Sequence, residues 1–331
     1  MTAKSNARIY RGTPRNIAHL AKVLLAGDLV AVPTETVYGL AANALDPTAC
    51  RKIFKAKGRP TNDPLIVHLY SIAQLHAVAV PNPAALKLAR AFWPGPLTIV
   101  LPKRDVLPDI VSSGLPSVAV RIPNHPLFRR LLKRSGLALA APSANPFGYI
   151  SPTTAAHVQA GLGRKIAHIL DGGASSIGVE STIVDLRDPA KPRLLRPGAI
   201  TRAQIEAVLG MPVLTVRRSS RDRAQISPGL LKRHYSPRTP SVLHDQISLK
   251  AVAESTEREA WIFMAKPTGL KRRTNVFWLD ARGQLKGAAH RLFDVLRQVD
   301  ARKFARINLE RATGGGLADA INDRLERAAA R

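Results

Sequence analysis

Apolar residues recur along residues 14–200 with two spacings that alternate along the chain. Steps of three and four residues, as between Ile17, Leu20 and Leu24, indicate amphipathic helices. A proline behind a residue that can cap a helix marks a helix start. These signals predict helices over 14–26 and 47–57, behind Asp46, and helices that start at Pro83, behind Asn82, and at Pro126.

Short runs of leucine and β-branched residues lie between these helices and predict strands. The predicted strands cover 29–32, 65–69, 97–101, 117–122, 137–141, 166–170 and 181–186. Proline and glycine interrupt many of these segments, which argues against one smooth Rossmann arrangement. The pattern predicts an α/β domain with a twisted, mixed sheet and flanking helices.

Periodicity is lost between Val213 and Pro240, where the chain is basic and rich in serine and proline. That composition is typical of a linker. Strands predicted over 260–264, 276–279 and 307–309, with helices over 285–299 and 317–329, form a smaller α/β unit beyond it. We therefore predict a catalytic domain over 1–212, a basic linker over 213–240, and a small Rossmann-like α/β domain over 241–331.

The composition of the 331-residue chain limits its class. It is 45% hydrophobic, enough for sizeable cores, and its longest apolar runs are far shorter than a membrane helix. Cys50 is the single cysteine, which excludes disulfide frameworks and cysteine-built zinc sites. With no apolar signal segment at the N-terminus, we expect a soluble cytoplasmic protein without membrane contact.

The charge of the chain is strongly positive. Lys and Arg number 50 against 23 Asp and Glu, for a formal net charge of +27. Such a field attracts nucleotides and nucleic acids, but the arginines are spread over both halves and no RNA-recognition signature is visible. The charge permits RNA contact without establishing it. The glycine run at 314–316 could likewise be either an anion site at a helix N-terminus or a flexible entry to the helix.

Two segments carry cations where their burial would be costly. Lys55, Lys57 and Arg59 stand at alternate positions just before a predicted strand, so we expect them to face an anion, although cations at a helix end also compensate its dipole. Arg121 shares one face of the apolar strand "SVAVRIP" with Ser117 and needs either an anionic ligand or a carboxylate partner. Both alternatives remain open at each segment.

Three further motifs add hydroxyls and amides. They are "PTETVYGLAANA" (33–44), "APSANPFGYISPT" (141–153) and "GVESTIVDL" (178–186), with Arg196 following. No nucleophile stands beside a base, and no phosphate-binding P-loop or zinc motif occurs. The residues favour chemistry by positioning and charge neutralisation, as in phosphoryl or nucleotidyl transfer.

These motifs, with "IFKAKGRPTNDPLIVHL" and "FWPGPLTIVL", resemble in order and spacing the YrdC-like domain of L-threonylcarbamoyladenylate synthases. "SPGLLKRHYSP" and the C-terminal "GGGLADAINDRLERAA" resemble the two-domain long form. The resemblance implies a nucleotidyltransferase that joins L-threonine, bicarbonate and ATP, with Mg²⁺, into threonylcarbamoyl-AMP and releases pyrophosphate. It also implies that the product is used in the threonylcarbamoyl modification of tRNA. The expected partners are then tRNA, through direct contact, and a downstream threonylcarbamoyl transferase complex.

The resemblance also implies roles for particular residues. Catalytic roles fall on Lys57, Arg59, Ser143 and Asn145. Threonine would contact Thr36, His68, Arg121 and Ser181. ATP would contact Lys55, Lys57, Arg59, Asn62, Ser117, Ala141, Ser143, Ser151, Arg196 and Tyr235. No resident metal site is implied.

Tyr235 lies in the predicted linker, so its contact with ATP would require the linker to fold over the cavity as a lid. The family often has Met-x-Tyr after "SPG", where this chain has Leu230-Leu231-Lys232. Two alternatives remain: a protein that binds double-stranded RNA or tRNA without adenylation, which would suit the charge, and a carbamoyl-transferring enzyme that uses carbamoyl phosphate. The extra zinc-finger or acylphosphatase-like modules expected of the latter are not visible.

Overall fold

The computed structural model describes residues 6–215, 234–271 and 273–330. Within them the strands form two sheets, one of eleven strands and one of four. We call the part built on the first sheet the large unit and the part built on the second sheet the small unit. The basic segment 216–233, with Leu230-Leu231-Lys232, lies outside the described residues. The domain boundaries at 212 and 240 stay a prediction.

The helices of the large unit are α1 (Pro14–Leu25), α2 (Pro47–Lys57), α3 (Leu75–Val78), α4 (Pro83–Phe92), α5 (Asp109–Ser112), α6 (Pro126–Ser135), α7 (Ala155–Leu162) and α8 (Arg202–Leu209), with a 3₁₀ turn at Ile72–Gln74. Those of the small unit are α9 (Leu249–Glu254), α10 (Leu285–Ala301) and α11 (Leu317–Ala329). None of the described helices is long and apolar enough to cross a membrane.

The strands of the large unit are β1 (Arg8–Arg11), β2 (Val30–Val32), β3 (Gly39–Asn43), β4 (Ile66–His68), β5 (Leu97–Pro102), β6 (Ser117–Arg121), β7 (Leu139–Ala140), β8 (His168–Asp171), β9 (Thr182–Asp185), β10 (Arg193–Arg196) and β11 (Leu214–Thr215). Those of the small unit are β12 (Ser241–His244), β13 (Glu259–Ala265), β14 (Val276–Asp280) and β15 (Arg306–Glu310).

The large sheet is mixed, in the order β1-β8-β2-β3-β7-β4-β6-β5-β9-β10-β11. At its centre β4 pairs parallel with β6 and antiparallel with β7. The small sheet is parallel throughout, in the order β12-β15-β13-β14. The predicted twisted, mixed α/β fold with a smaller α/β unit is confirmed.

Local sequence signals fix the helix ends. Asp46 Oδ1 accepts from the backbone N–H groups of Thr48 and Ala49 at 2.8 and 3.1 Å, which satisfies donors that a helix start leaves unpaired. The same helix ends at Gly58, whose φ of 65° is the left-handed conformation that glycine adopts without strain. Predicted α2 is therefore reproduced residue for residue.

The two units share an apolar cluster. Val37, Ile150 and Val179 of the large unit pack in the same buried group as Leu292 and Leu325 of the small unit. This arrangement fixes the small unit against the loops that precede β9.

At one position of this contact, the backbone of the large unit lies directly against the backbone of α10. A Cβ atom on Gly178, which has a φ of 87°, would lie 2.5 Å from the carbonyl oxygen of Ala289 and equally near His290 Cα. Only glycine allows this approach. The loop before Glu180 therefore runs directly along α10.

We expect Asp46→Ala to lower the free energy of unfolding by about 1 kcal/mol, because two backbone N–H groups at the start of α2 lose their acceptor. Urea denaturation measures this change. Asp46→Asn keeps an oxygen acceptor and should cost much less. Equal losses in the two variants would contradict a capping role.

Candidate active site

A cavity opens on the face of the large sheet where β4 and β6 lie side by side. Its empty volume is about 510 Å³, which includes some open solvent at its mouth. We call it the central pocket. Its lining residues are Thr34, Thr36, Val37, Gly39, Arg59, Ile66, His68, Arg121, Ala141, Pro142, Ser143, Glu180, Ser181, Arg196, His234 and Tyr235.

Two neighbouring strand residues form the polar floor of the pocket. Residues two apart on a strand share a face, and β4 and β6 are in register so that His68 lies opposite Arg121. The alternate residue Val120 points into the main apolar core. The predicted alternation along "SVAVRIP" therefore places Arg121 beside a histidine at the pocket.

Arg121 is 3% exposed and has three partners in the large unit. Its Nη2 lies 2.7 Å from Glu35 Oε1, its Nη1 donates to Thr36 Oγ1 at 2.9 Å, and its Nε donates to the Gly95 carbonyl at 3.1 Å. The carboxylate partner left open by the sequence is thus Glu35. Because a guanidinium carries five N–H donors, Arg121 can still present donors to an anion in the pocket.

His68 is neutral in this environment. Burial, with the nearby charge of Arg121, lowers its pKa from 6.5 to about 3. Its Nδ1 lies 3.2 Å from the Ile66 carbonyl oxygen. At physiological pH the ring therefore offers one donor and one acceptor without adding charge.

Arg59 forms the second cationic wall. Its Nη2 lies 2.9 Å from Asp63 Oδ2 and donates to the Pro64 carbonyl at 2.7 Å. Burial lowers the pKa of Arg59 and raises the pKa of Asp63, and the attraction between the two charges opposes both changes. The turn that follows α2 thus holds this guanidinium at the pocket.

Lys57 lies behind the wall and holds a loop. Its Nζ donates to the carbonyl oxygens of Ser143 and Asn145, both at 2.6 Å. Burial, and then the charge of Arg59, lower the pKa of Lys57 well below its ordinary value. Its contacts fix the backbone of the Ser143–Asn145 segment, while Ser143 itself lines the pocket.

A third buried arginine approaches from β10. Arg196 donates from Nε to the Ser181 carbonyl at 3.1 Å and from Nη2 to Ser181 Oγ at 3.2 Å. Ser181 Oγ also lies 2.8 Å from Thr98 Oγ1. Burial lowers the pKa of Arg196. The pocket therefore collects guanidinium groups from three separate segments of the large unit.

Two polar groups of residues that line the pocket have no hydrogen-bond partner within the described part of the chain. They are His234 Nδ1 and the Tyr235 hydroxyl, and both residues are buried. Burial lowers the pKa of His234, as do the surrounding cations led by Arg59. Buried polar groups are normally paired, so these atoms suit a ligand in the pocket. The hypothesis that a linker segment covers the cavity is in keeping with this position, although 216–233 lie outside the described residues.

The structure brings many of the predicted site residues together. Those that line the central pocket are Thr36, Arg59, His68, Arg121, Ala141, Ser143, Ser181, Arg196 and Tyr235. Four others are buried but are not among the lining residues: Lys57, Asn145, Ser117 and Ser151. Ser151 reaches the lining through its Oγ, which donates to Glu180 Oε1 at 2.5 Å.

Lys55 and Asn62 are not brought to the pocket. Both are exposed, and Lys55 lines a different cavity with Arg8, Lys52 and Arg164. The expectation that Lys55 and Lys57 face one anion did not take account of the different directions in which they point from the predicted helix 47–57. They lie on α2, where residues two apart point in different directions, so only Lys57 turns inward.

Three carboxylates around the pocket have no role among the residues predicted from the sequence. Glu35, Asp63 and Glu180 are each paired with an arginine, namely Arg121, Arg59 and Arg324. Arg324 comes from the small unit. The sequence contains a signal for the burial of Arg324, because this charged residue stands on the apolar face of α11 with Ile321 and Leu325.

The pocket is suited to binding anions. Three guanidinium groups and several hydroxyls surround it, and no nucleophile–base pair lies among the described lining residues. Within the described ranges no three His, Cys, Asp or Glu side chains form a metal-binding group.

Two family models match the chain. One, described as telomere recombination and named for Sua5, YciO and YrdC, covers residues 22–198. The other, described as the C-terminal domain of threonylcarbamoyl-AMP synthase, covers residues 200–330.

Full-length relatives agree with these matches. The threonylcarbamoyl-AMP synthase of Bacillus subtilis is 42% identical over 95% of this chain and 92% of its own length. That of Pyrococcus abyssi is 41% identical over 91% of this chain and 90% of its own. The chain belongs to the threonylcarbamoyl-AMP synthase family.

A solved structure shows the same two-domain long form. The crystal structure of Pyrococcus abyssi Sua5 complexed with L-threonine superposes with a TM-score of 0.90 at 38% identity and covers 98% of both chains. The family resemblance seen in the sequence is thus confirmed over nearly the whole length of this family member.

We expect His68 to make stability depend on pH. The unfolded chain takes up a proton near pH 6.5, whereas folded His68 stays neutral down to about pH 3. Its contribution is therefore complete above pH 6.5 and is lost as the pH falls towards 3. His68→Gln should reduce the slope of unfolding free energy against pH by up to about 1.4 kcal/mol per pH unit between pH 4 and 6.

Urea denaturation at several pH values measures this slope. The matched control is the exposed residue His76, whose substitution by Gln should leave the slope as in the wild type. If His68→Gln kept the wild-type slope, the buried neutral state of His68 would be wrong.

We expect Lys57→Met to lower the free energy of unfolding by about 2–4 kcal/mol, because two buried carbonyl oxygens lose their donor. Lys55→Met on the exposed side of the same helix should change it by no more than about 0.5 kcal/mol. Chemical denaturation of both variants makes the comparison. Equal effects would show that the Nζ contacts of Lys57 do not hold the loop.

Proposed function

We propose that this chain synthesises threonylcarbamoyl-AMP from L-threonine, bicarbonate and ATP and releases pyrophosphate. The observation that carries the proposal is the meeting of Arg59 and Arg121 at one pocket, although 62 positions separate them in the sequence. Family membership over the full length supports the same activity. The double-stranded RNA-binding alternative without adenylation has no comparable support.

The threonine side of the pocket is formed by Thr36, His68 and Arg121. A guanidinium with free donor capacity pairs well with an amino-acid carboxylate, while neutral His68 and the Thr36 hydroxyl can contact polar groups without charge repulsion. Support comes from the relative whose crystal structure is complexed with L-threonine. We place threonine over the β4–β6 floor.

The nucleotide side is formed by Arg59, Ser143, Arg196 and Tyr235. Two buried guanidiniums there can neutralise phosphate oxygens, which is the main task of a protein in phosphoryl-type transfers. The unpaired Tyr235 hydroxyl supplies a further donor to the pocket. Ser151 acts from behind this wall through Glu180.

The chemical step needs positioning more than acid–base catalysis. The neutral threonine amine first attacks the carbon of bicarbonate, so a C–N bond forms while a C–O bond breaks, and the products are a carbamate and water. An oxygen of this carbamate attacks the α-phosphorus of ATP, so a new P–O bond forms while the bond to the leaving pyrophosphate breaks. Since the carbamate is already an anion, the protein need not remove a proton in this step.

Mg²⁺ would enter with ATP as part of the substrate. Magnesium is commonly held by substrate phosphates with one or two carboxylates, but the carboxylates of Glu35, Asp63 and Glu180 are each engaged by an arginine. These residues do not offer a resident metal site.

We further propose that the product serves the threonylcarbamoyl modification of tRNA through a downstream transferase complex. Direct tRNA contact would use surface cations such as those of the cavity that Lys55 lines, where Arg8, Arg164 and Lys165 are exposed. A cytoplasmic location remains a prediction.

Incubation with ATP, L-threonine and bicarbonate, followed by mass spectrometry for threonylcarbamoyl-AMP and assay of pyrophosphate, tests the proposal. Omission of any one substrate should abolish the product. Arg59→Ala and Arg121→Ala should reduce turnover by about 100-fold or more, because each removes a buried donor to a substrate anion.

Each of these alanine variants also leaves a buried carboxylate unpaired, so Arg59→Lys and Arg121→Lys serve as milder variants that keep the charge but lose the forked geometry. Arg90→Ala, on the exposed side of α4, is the matched control and should keep wild-type turnover. A wild-type protein that releases no pyrophosphate under these conditions would refute the proposed activity.

A further inference from the structure

Arg324 of the small unit is buried completely, although it is one of the largest side chains in the described part of the chain. It stands on α11, the last helix, and its side chain points into the large unit. Removing a guanidinium from water is costly unless its donors find acceptors. The acceptors of the Arg324 donors therefore show which segments of the chain this side chain keeps in position.

The donors of Arg324 reach two segments of the large unit. Nε donates to Glu180 Oε2 at 3.0 Å and Nη2 donates to the Glu180 carbonyl at 3.2 Å. Nη1 donates to the Pro197 carbonyl at 2.6 Å. One guanidinium thus ties the turn before β9 to the turn after β10.

The same group also contacts the segment between the units. The Cζ atom of Arg324 lies 5.6 Å from the centre of the Tyr235 ring, within range of a cation–π contact. The next residue, Ser236, donates from Oγ to the backbone carbonyl of Arg327 at 3.1 Å. Helix α11 therefore holds Tyr235 and its neighbour in place.

These contacts converge on one side of the central pocket. Glu180 and Tyr235 line it directly, Arg196 precedes Pro197, and Ser151 is bonded to Glu180. Arg324 itself is not among the lining residues. Its contacts reach the nucleotide side of the pocket, which we call the nucleotide wall (Arg59, Ser143, Arg196 and Tyr235). They do not reach the floor formed by His68 and Arg121.

We propose that Arg324 is a positioning residue that sets the nucleotide wall of the pocket, so that the small unit is part of the substrate site. This inference rests on the proposed function, because it assigns ATP to that wall. Arg324 acts through Glu180, the Arg196–Pro197 turn and Tyr235, and it does not contact the reacting atoms.

The test compares Arg324→Gln with the wild type in steady-state kinetics. The apparent KM for ATP should rise at least 10-fold, while the KM for L-threonine should stay within twofold. A variant that was merely less stable would lower the active fraction and leave both KM values unchanged. The selective rise in one KM is therefore the decisive readout.

Arg311→Gln is the matched control in the small unit. Arg311 forms ion pairs with Asp245 and with Glu326 of α11, and its side chain is 35% exposed. Its loss should leave both KM values within twofold of the wild type. Should Arg324→Gln fail to fold, Arg324→Lys keeps a charge near Glu180 but cannot span to Pro197, and its KM for ATP should rise at least threefold.

Calorimetric titration with ATP alone separates this inference from the proposed activity. Weaker ATP binding by at least 10-fold in Arg324→Gln, with Arg311→Gln unaffected, supports the positioning role even before turnover is considered. Unchanged ATP affinity in a folded Arg324 variant, or equal changes in the ATP and threonine KM values, overturns it. Absence of product from the wild type would count against the proposed function alone.

Discussion

The structure depends on keeping several arginine side chains out of water around one cavity. Arg59, Arg121, Arg196 and Arg324 are all buried, and each must find acceptors for a fork of N–H donors. Carboxylates supply some of them, and backbone carbonyls in turns supply the rest. The turns that deliver these carbonyls are therefore held by charge as well as by packing.

Much of this arrangement could be predicted because the signals were local. The cap at Asp46 and the left-handed Gly58 define α2 within its own sequence. Arg121 was conspicuous because a strand places alternate residues on opposite faces, so one charged residue in an apolar run must serve a special purpose. Lys55 lies on this same correctly predicted helix, but only the packing of α2 shows which of its sides faces the pocket, and Lys55 lines another cavity.

What could not be predicted depended on contacts between distant parts of the chain. Strand β3 consists of glycine, leucine, alanine and asparagine, which together have a low propensity for strands. It forms because it pairs with β2 on one side and with β7 on the other. The pairing of Glu180 with Arg324 joins residues 144 positions apart. Arg324 was visible on its helix face, but only the fold reveals which carboxylate lies opposite.

Gly178 shows how finely the two units are joined. At this position the backbone of Gly178 lies directly against the backbone of Ala289 and His290. No side chain lies between the two units there, so a change of side-chain size cannot adjust their spacing. A methyl group at this position would push the two units apart only two residues from Glu180. The Glu180 carboxylate would then move away from the Arg324 guanidinium with which it is paired. A substitution at position 178 would therefore disturb the pocket although the residue does not line it.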